Sequence, residues 1–158
     1  MSEYPATIII RHARENKKKC SLRGLEGRSD MQFYTYPRCS LPDVEGYIVL
    51  DVEGEPLTKR DSNKGLILVD GTWRLAEKMF RNIPELEPLE RRSIPKGFKT
   101  AYPRRQDDCP DPEAGLASIE ALYIAYLASG RPVDGLLDEY FWKEQFISLN
   151  NTLLHGII

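Results

Sequence analysis

Four consecutive residues, Asp70-Gly71-Thr72-Trp73, bring a carboxylate, a flexible glycine, a hydroxyl and a large aromatic into one short stretch. A carboxylate beside an indole suits a cationic, partly apolar ligand such as a sulfonium, because the carboxylate answers the charge and the ring face answers both charge and apolar surface. The same residues also fit plainer roles. Asp70 is placed to cap a following helix, and Trp73 to be the first core anchor on it. Ser118 and Glu120 carry a similar double reading, Ser118 as a helix N-cap and Glu120 as a first-turn acid aligned with the helix dipole. Arg104 and Arg105 can meet phosphates or the nearby Asp107 and Asp108. Tyr34 and Tyr36 can stack on bases or fill a core.

Other chemistries lack their residues. The chain has two histidines, His12 after an apolar run and His155 in a tail expected to fray. A Ser-His-Asp arrangement would need His12, and no Gly-x-Ser-x-Gly turn exists to expose a nucleophile. No glycine loop has the spacing of a P-loop or of a dinucleotide fingerprint. Cys20, Cys39 and Cys109 are odd in number and scattered, which argues against a disulfide framework, and with His12 they give no convincing metal set.

These residues must be held by elements legible as periodic patterns. Ala6 to Ile10, Tyr47 to Leu50 and Leu66 to Val69 are short, continuous apolar runs, the pattern of strands buried on both faces of a parallel sheet. Met31 to Tyr36 is a further strand candidate, ended by Pro37. Glu53 to Lys64 reads as a polar loop. Asp70 then sits at a strand end, before a helix expected over Thr72 to Arg81 with Trp73, Ala76, Met79 and Phe80 on one face. In α/β proteins such strand-to-helix turns, at the carboxyl edge of the sheet, are where ligands bind. Pro84, Pro88 and Pro95 predict an irregular stretch, and Tyr102 to Gly115 a long loop. A helix is expected over Ile119 to Ala128, buried at Leu122, Ala125 and Tyr126 and stopped by Ser129-Gly130. A last helix, capped by Asp134, is expected to run to Asn150. The division falls softly near Glu90: an α/β lobe over residues 1–90, and a mainly helical lobe over 91–158 within one compact unit.

With 158 residues, 41% hydrophobic and 29% charged, the chain reads as a soluble globular protein. No apolar run approaches the roughly 20 residues of a membrane span, and no signal peptide is evident, so the expected location is the cytoplasm. The net charge of −2 hides segregation. Arg11, Arg14, Lys17, Lys18, Lys19, Arg23 and Arg28 cluster near the start. Arg91, Arg92, Lys96, Lys99, Arg104 and Arg105 form a second basic group. Two such segments either present a positive face to a polyanion or are simply solvated.

The run Leu68-Val69-Asp70-Gly71-Thr72-Trp73-Arg74-Leu75-Ala76 resembles the signature of the DTW-domain family. Gly115-Leu116-Ala117-Ser118-Ile119-Glu120-Ala121 is similar to that family's second block, and Arg11-His12-Ala13-Arg14-Glu15 to its His-Pro-Arg-Glu-type segment, with Ala13 where proline is usual. Lys18-Lys19-Cys20-Ser21, Arg92-Ser93-Ile94-Pro95 and the stretch from Phe141-Trp142 to Leu149-Asn150 resemble blocks of the related small-subunit ribosomal RNA aminocarboxypropyltransferases. The resemblance implies a SPOUT-like α/β fold, a parallel sheet with flanking helices, a helical C-terminal part and a C-terminal trefoil knot. It implies an enzyme that transfers the 3-amino-3-carboxypropyl group of S-adenosylmethionine to a uridine-type base in rRNA or tRNA. Carried over, the cofactor contacts fall on Ser21, Val69, Asp70, Trp73, Ile94, Ala114 and Ser118. Asp70 is the catalytic residue, and Arg14, Lys17, Arg104 and Arg105 bind RNA. Ala114 stands where the ribosomal family has an aromatic. Tyr102-Pro103-Arg104-Arg105-Gln106-Asp107 replaces that family's Asn-Pro-x-Asn-Tyr-Gly loop, and the N-terminal cysteine cluster of many DTW proteins is missing. The expected protein is a monomer without a metal. Two alternatives stand beside this reading: a SPOUT-type RNA methyltransferase, and a non-catalytic RNA-binding ribosome-assembly factor.

Overall fold

The three apolar runs form the centre of one sheet. The computed structural model describes residues 4–13, 22, 24–37, 40–70, 73–101 and 116–157, with backbone alone at 52–53 and 73–75. Five strands, β1 (Thr7–His12), β2 (Met31–Tyr36), β3 (Tyr47–Pro56), β4 (Gly65–Asp70) and β5 (Glu90–Ser93), pair in the order β2-β1-β4-β3-β5. Every pairing is parallel. The continuous apolar runs are thus β1, β4 and the start of β3, the strands with neighbours on both sides, as a sheet covered on both faces requires.

Alternate residues feed two cores. Ile8, Ile10, Val49 and Ile67 face α1 (Trp73–Asn82), whose Met79 is fully buried against them. Ile9, Ile48, Leu50, Leu66 and Leu68 face α2 (Ser118–Ala128), α3 (Lys143–Leu149) and α4 (Asn151–Ile157), which supply Leu122, Tyr126, Phe146 and Leu154. The expected burial of Leu122, Ala125 and Tyr126 holds, and Gly130, at φ 78°, makes the left-handed stop after α2, with the Arg131 N–H donating to the Tyr126 carbonyl.

Four local expectations are corrected. The polar loop expected over Glu53 to Lys64 is strand as far as Pro56, followed by a 3-10 turn over Lys59–Asp61. A register shift between Leu50 and Glu55 carries β3 past β5. Gly54 is required there, because a Cβ on it would lie 2.6 Å from the Arg91 carbonyl oxygen, at a φ of +106°. The stretch expected to be irregular after Pro84 contains β5, a strand with no apolar residue. Its side chains enter ion pairs instead, Arg91 with Asp51 at 2.9 Å and Arg92 with Asp61 at 3.5 Å. These pairs occupy part of the second basic group. The last expected helix is two short ones, and its start at Asp134 is a run of turns. Asn150 breaks it: the buried side chain accepts from the Lys99 N–H at 2.7 Å and donates to the carbonyls of Lys99 and Phe146. His155, expected in a frayed tail, lies in α4.

A polar network closes the amino edge of the sheet. The hydroxyls of Thr7 and Tyr126 are hydrogen-bonded at 2.7 Å. Asp30 accepts from Tyr4 at 3.0 Å and from Arg28 at 2.9 and 3.1 Å. Arg131 is buried with its guanidinium 4.7 Å from the Tyr4 ring centre and donates to Ser129 and to the Lys64 carbonyl. Burial drives the Tyr126 hydroxyl far above the usual phenolic range. For Asp30, partial burial pushes upward, yet the donors from Arg28 and Tyr4 prevail and its pKa is lowered from 3.8. A carboxylate with a lowered folded pKa stabilises the protein above its unfolded pKa, and that contribution is lost as pH falls through the folded value. Stability in urea should therefore decline on acidification below the ordinary carboxylate range, and Asp30→Asn should be less stable at neutral pH with a flatter acid limb. Parallel pH–stability curves for the two proteins would refute the assignment.

Candidate functional site

Successive connections diverge at the β1/β4 pair. The chain leaves β1 for β2 on one side and leaves β4 for β5 on the other, beyond β3. In parallel sheets such a reversal opens a crevice at the carboxyl ends of the two strands. Asp70 closes β4, and its direct partner on β1 is Arg11. Residues paired in register project from the same face, and both share the parity of Ile9 and Leu68, so both face α2.

The two charges are buried, with Arg11 5% and Asp70 4% exposed. Arg11 Nε lies 3.7 Å from Asp70 Oδ2. Arg11 Nη2 donates to Glu26 Oε1 at 3.4 Å, and the guanidinium lies 4.9 Å from the centre of the Phe33 ring on β2. From the other layer, the Ser118 hydroxyl donates to Asp70 Oδ1 at 2.5 Å, across 48 positions of sequence. A short O–H to carboxylate bond is charge-assisted and fixes the carboxylate plane. The result is a fixed anion with a cation on one flank and a hydroxyl on the other. It can hold a cationic centre, orient a donor or receive a proton.

Ser118 was expected to cap α2. The cap position is Ala117, and Ser118 is the first helical residue, which frees its hydroxyl for Asp70. Glu120, expected to act on the helix dipole, is fully buried and accepts four hydrogen bonds. These come from the Ala117 N–H at 2.8 Å, the Thr100 hydroxyl at 2.6 Å, the Ala101 N–H at 2.9 Å and the Tyr140 hydroxyl at 3.0 Å. Ala101 and Ala117 flank residues 102–115, so one carboxylate pins the chain on both sides of that segment and sets the start of α2. Ser118 inherits its aim at Asp70 from this clamp.

The other sequence-derived residues are distributed as follows. Val69 is half-buried and its side chain packs into the α1-side core, so on the face of Asp70 it offers backbone only. Ile94 follows β5 and packs, half-buried, on the α2-side core. Trp73 opens α1, and its side chain lies outside the described residues, as do Ser21, Ala114, Arg14, Lys17, Arg104, Arg105 and the three cysteines. Tyr36 is core, with its ring 5.2 Å from that of His12 and its hydroxyl accepting from Asn82 at 3.1 Å. His12 has the parity of Ile10 and so faces α1, away from Asp70, which removes the one histidine a triad required. Tyr34 is half-buried beside the same core and donates to Gln32. Sequence reasoning missed Arg11 as a site residue. Its signal was an arginine where an apolar strand run ends, and only the register of β1 on β4 gives it meaning. It also missed the clamp formed by Glu120.

Residues 3–141 match the family model described as the DTW domain. In three dimensions the chain resembles the SAM-dependent rRNA:acp-transferase Tsr3 from Vulcanisaeta distributa, with a TM-score of 0.71 and 23% identity, over 96% of this chain and 81% of that one. The likeness is one of fold. No curated protein matches the chain in sequence.

Removing the carboxylate of the clamp leaves four donors without their acceptor. Glu120→Ala should cost about 2–4 kcal/mol in urea denaturation. A loss below about 0.5 kcal/mol, the range of an ordinary surface substitution, would show that the clamp carries no stability.

Proposed function

The chain belongs to the DTW-domain family, by the match over residues 3–141, and from that premise we propose that it transfers the 3-amino-3-carboxypropyl group of S-adenosylmethionine to a uridine-type base in structured RNA, releasing methylthioadenosine. The observation that carries the reading is the buried Arg11–Asp70–Ser118 cluster at the β1/β4 reversal. The fold shared with Tsr3, named as a SAM-dependent rRNA:acp-transferase, supports it. The residues fit such a cofactor: a buried carboxylate answers a sulfonium, and Ile94 adds apolar surface.

When bound, S-adenosylmethionine supplies an electrophilic γ-carbon beside its sulfonium. A ring nitrogen of the uracil forms the new C–N bond as the γ-carbon–sulfur bond breaks, and the sulfur keeps the electron pair. Asp70 accepts the nitrogen's proton or orients that nitrogen, while the Ser118 hydroxyl fixes the carboxylate plane. Arg11 offsets the carboxylate's charge on the other oxygen. Trp73 and Ala76 bury the methyl group and so leave the γ-carbon presented. Backbone around Lys19 to Ser21, with Val69 and Ala114, completes the pocket. Arg14, Lys17, Arg104 and Arg105 bind RNA phosphates. The same reading carries the SPOUT-like trefoil knot, the lobes over 1–90 and 91–158, and a monomer acting in the cytoplasm on rRNA or tRNA. Among the described residues no helix is long and apolar enough to cross a membrane.

Incubation with S-adenosylmethionine and RNA from a deletion strain tests the reading. Methylthioadenosine is the expected co-product, whereas S-adenosylhomocysteine would assign the chain to methyl transfer instead. No turnover and no calorimetric binding of S-adenosylmethionine would leave the non-catalytic assembly factor. Asp70→Ala should lower transfer by about 10²–10⁴-fold while the circular dichroism spectrum is retained. Undiminished transfer in that variant would remove Asp70 from the chemistry.

A further inference from the structure

Arg11 is buried and under-satisfied. Among the described residues its Nε has no hydrogen-bond partner, since Asp70 Oδ2 at 3.7 Å is beyond bonding distance. Its one hydrogen bond among the described residues is the long one from Nη2 to Glu26 at 3.4 Å. A guanidinium carries five N–H donors, and leaving them unmet out of water is costly. Arg131 also has an unpartnered Nε, but its two Nη groups donate to Ser129 and the Lys64 carbonyl at the amino edge, where they tie structure together. Arg11 instead stands at the carboxyl edge, where the strand connections diverge.

Glu26 shows what chemistry Arg11 accepts. Its side chain is 44% exposed, and its Oε2 is anchored by the Gly24 N–H at 2.8 Å. Only Oε1 reaches Arg11, at long range, so the contact is a single one where a planar fork can make two. A second carboxylate arriving in the crevice can take the Nε and Nη2 donors together and release Glu26 to solvent. Depth selects the anion: at 5% exposure, the guanidinium suits a small carboxylate carried on a narrow ligand rather than the backbone of a folded RNA.

We propose that Arg11 receives the α-carboxylate of an amino-acid-type ligand through its Nε–Nη2 edge, displacing Glu26. On the function proposed above, from which the ligand's identity comes, that group is the carboxylate of the methionyl end of S-adenosylmethionine. Asp70, on the adjacent strand, then faces the cationic part of the same molecule. The β1/β4 rung thereby matches a zwitterionic ligand with a charge pair of opposite order.

The test is calorimetric titration of the full chain with S-adenosylmethionine and with decarboxylated S-adenosylmethionine, which lacks only that carboxylate. Wild-type protein should prefer the carboxylated ligand. Arg11→Gln should weaken it by about tenfold to a hundredfold more than it changes the decarboxylated ligand, whose affinity responds only to the altered charge beside Asp70. Arg11→Lys, which keeps the charge and loses the fork, should fall between. Equal losses for both ligands, or a loss confined to RNA affinity, would overturn the proposal. Should Arg11→Gln not fold, the wild-type comparison decides alone: equal affinities for the two ligands overturn the role of Arg11 while leaving the proposed function standing. Binding of neither ligand sinks both.

Discussion

Burying an arginine and an aspartate costs several kcal/mol per ion unless each finds its partner, and a protein can meet that cost only by holding the pair in fixed geometry. Here the geometry comes from the backbone. Arg11 and Asp70 occupy one rung of two adjacent parallel strands, so their Cβ atoms are neighbours on one face before any side-chain rotamer is chosen. A one-residue slip of β1 against β4 would turn Arg11 toward α1 and into an apolar layer containing Ile67 and Met79, leaving Asp70 buried on the other face without it. The charge pair and the core pattern therefore specify the same register. The rest of the site is attached to this rung: Ser118 reaches it from α2, and Glu120 sets where α2 begins.

The parts of the fold legible in the sequence are those whose pattern comes from burial on both faces. β1, β4 and the first half of β3 are runs of aliphatic residues, and their position at the sheet's centre follows from that. β5 escaped because Glu90-Arg-Arg-Ser93 has no apolar residue; it is a strand by virtue of backbone pairing with β3 and of ion pairs that lie far off in sequence. The break between α3 and α4 escaped for a related reason. Asn150 is an ordinary polar residue in a helical run until it is seen bonded to Lys99, 51 positions away.

The site divides in the same way. Asp70 was legible because its type and its place at a strand end coincide. Ser118 was legible as a residue and misread as a cap, since the two roles of a serine at a helix start differ only in where the hydroxyl points. Arg11 was counted as one member of a basic cluster, although a guanidinium beside a buried carboxylate has little in common with one in water. Glu120 shows the limit most plainly. Its four donors come from three separate segments, and no local pattern encodes such a meeting. The amino edge, by contrast, is tied shut by Thr7, Asp30, Tyr126 and Arg131. One edge of the sheet is tied by polar contacts, and the candidate site stands at the other.

The order of the strands has a consequence for how the protein is made. β4 lies between β1 and β3 but emerges from the ribosome after both. Until it arrives, β1 and β3 each have an open edge and two apolar faces, a state exposed to mispairing. Inserting β4 completes both pairings at once, and the same event brings Asp70 to Arg11. The Arg11–Asp70 pair therefore has no earlier form, and Ser118 joins it when α2 follows. A chain that displays the pair has already placed its central strand, so the candidate site arises together with the joining of β1, β4 and β3 and serves as a mark that the centre of the sheet is in place.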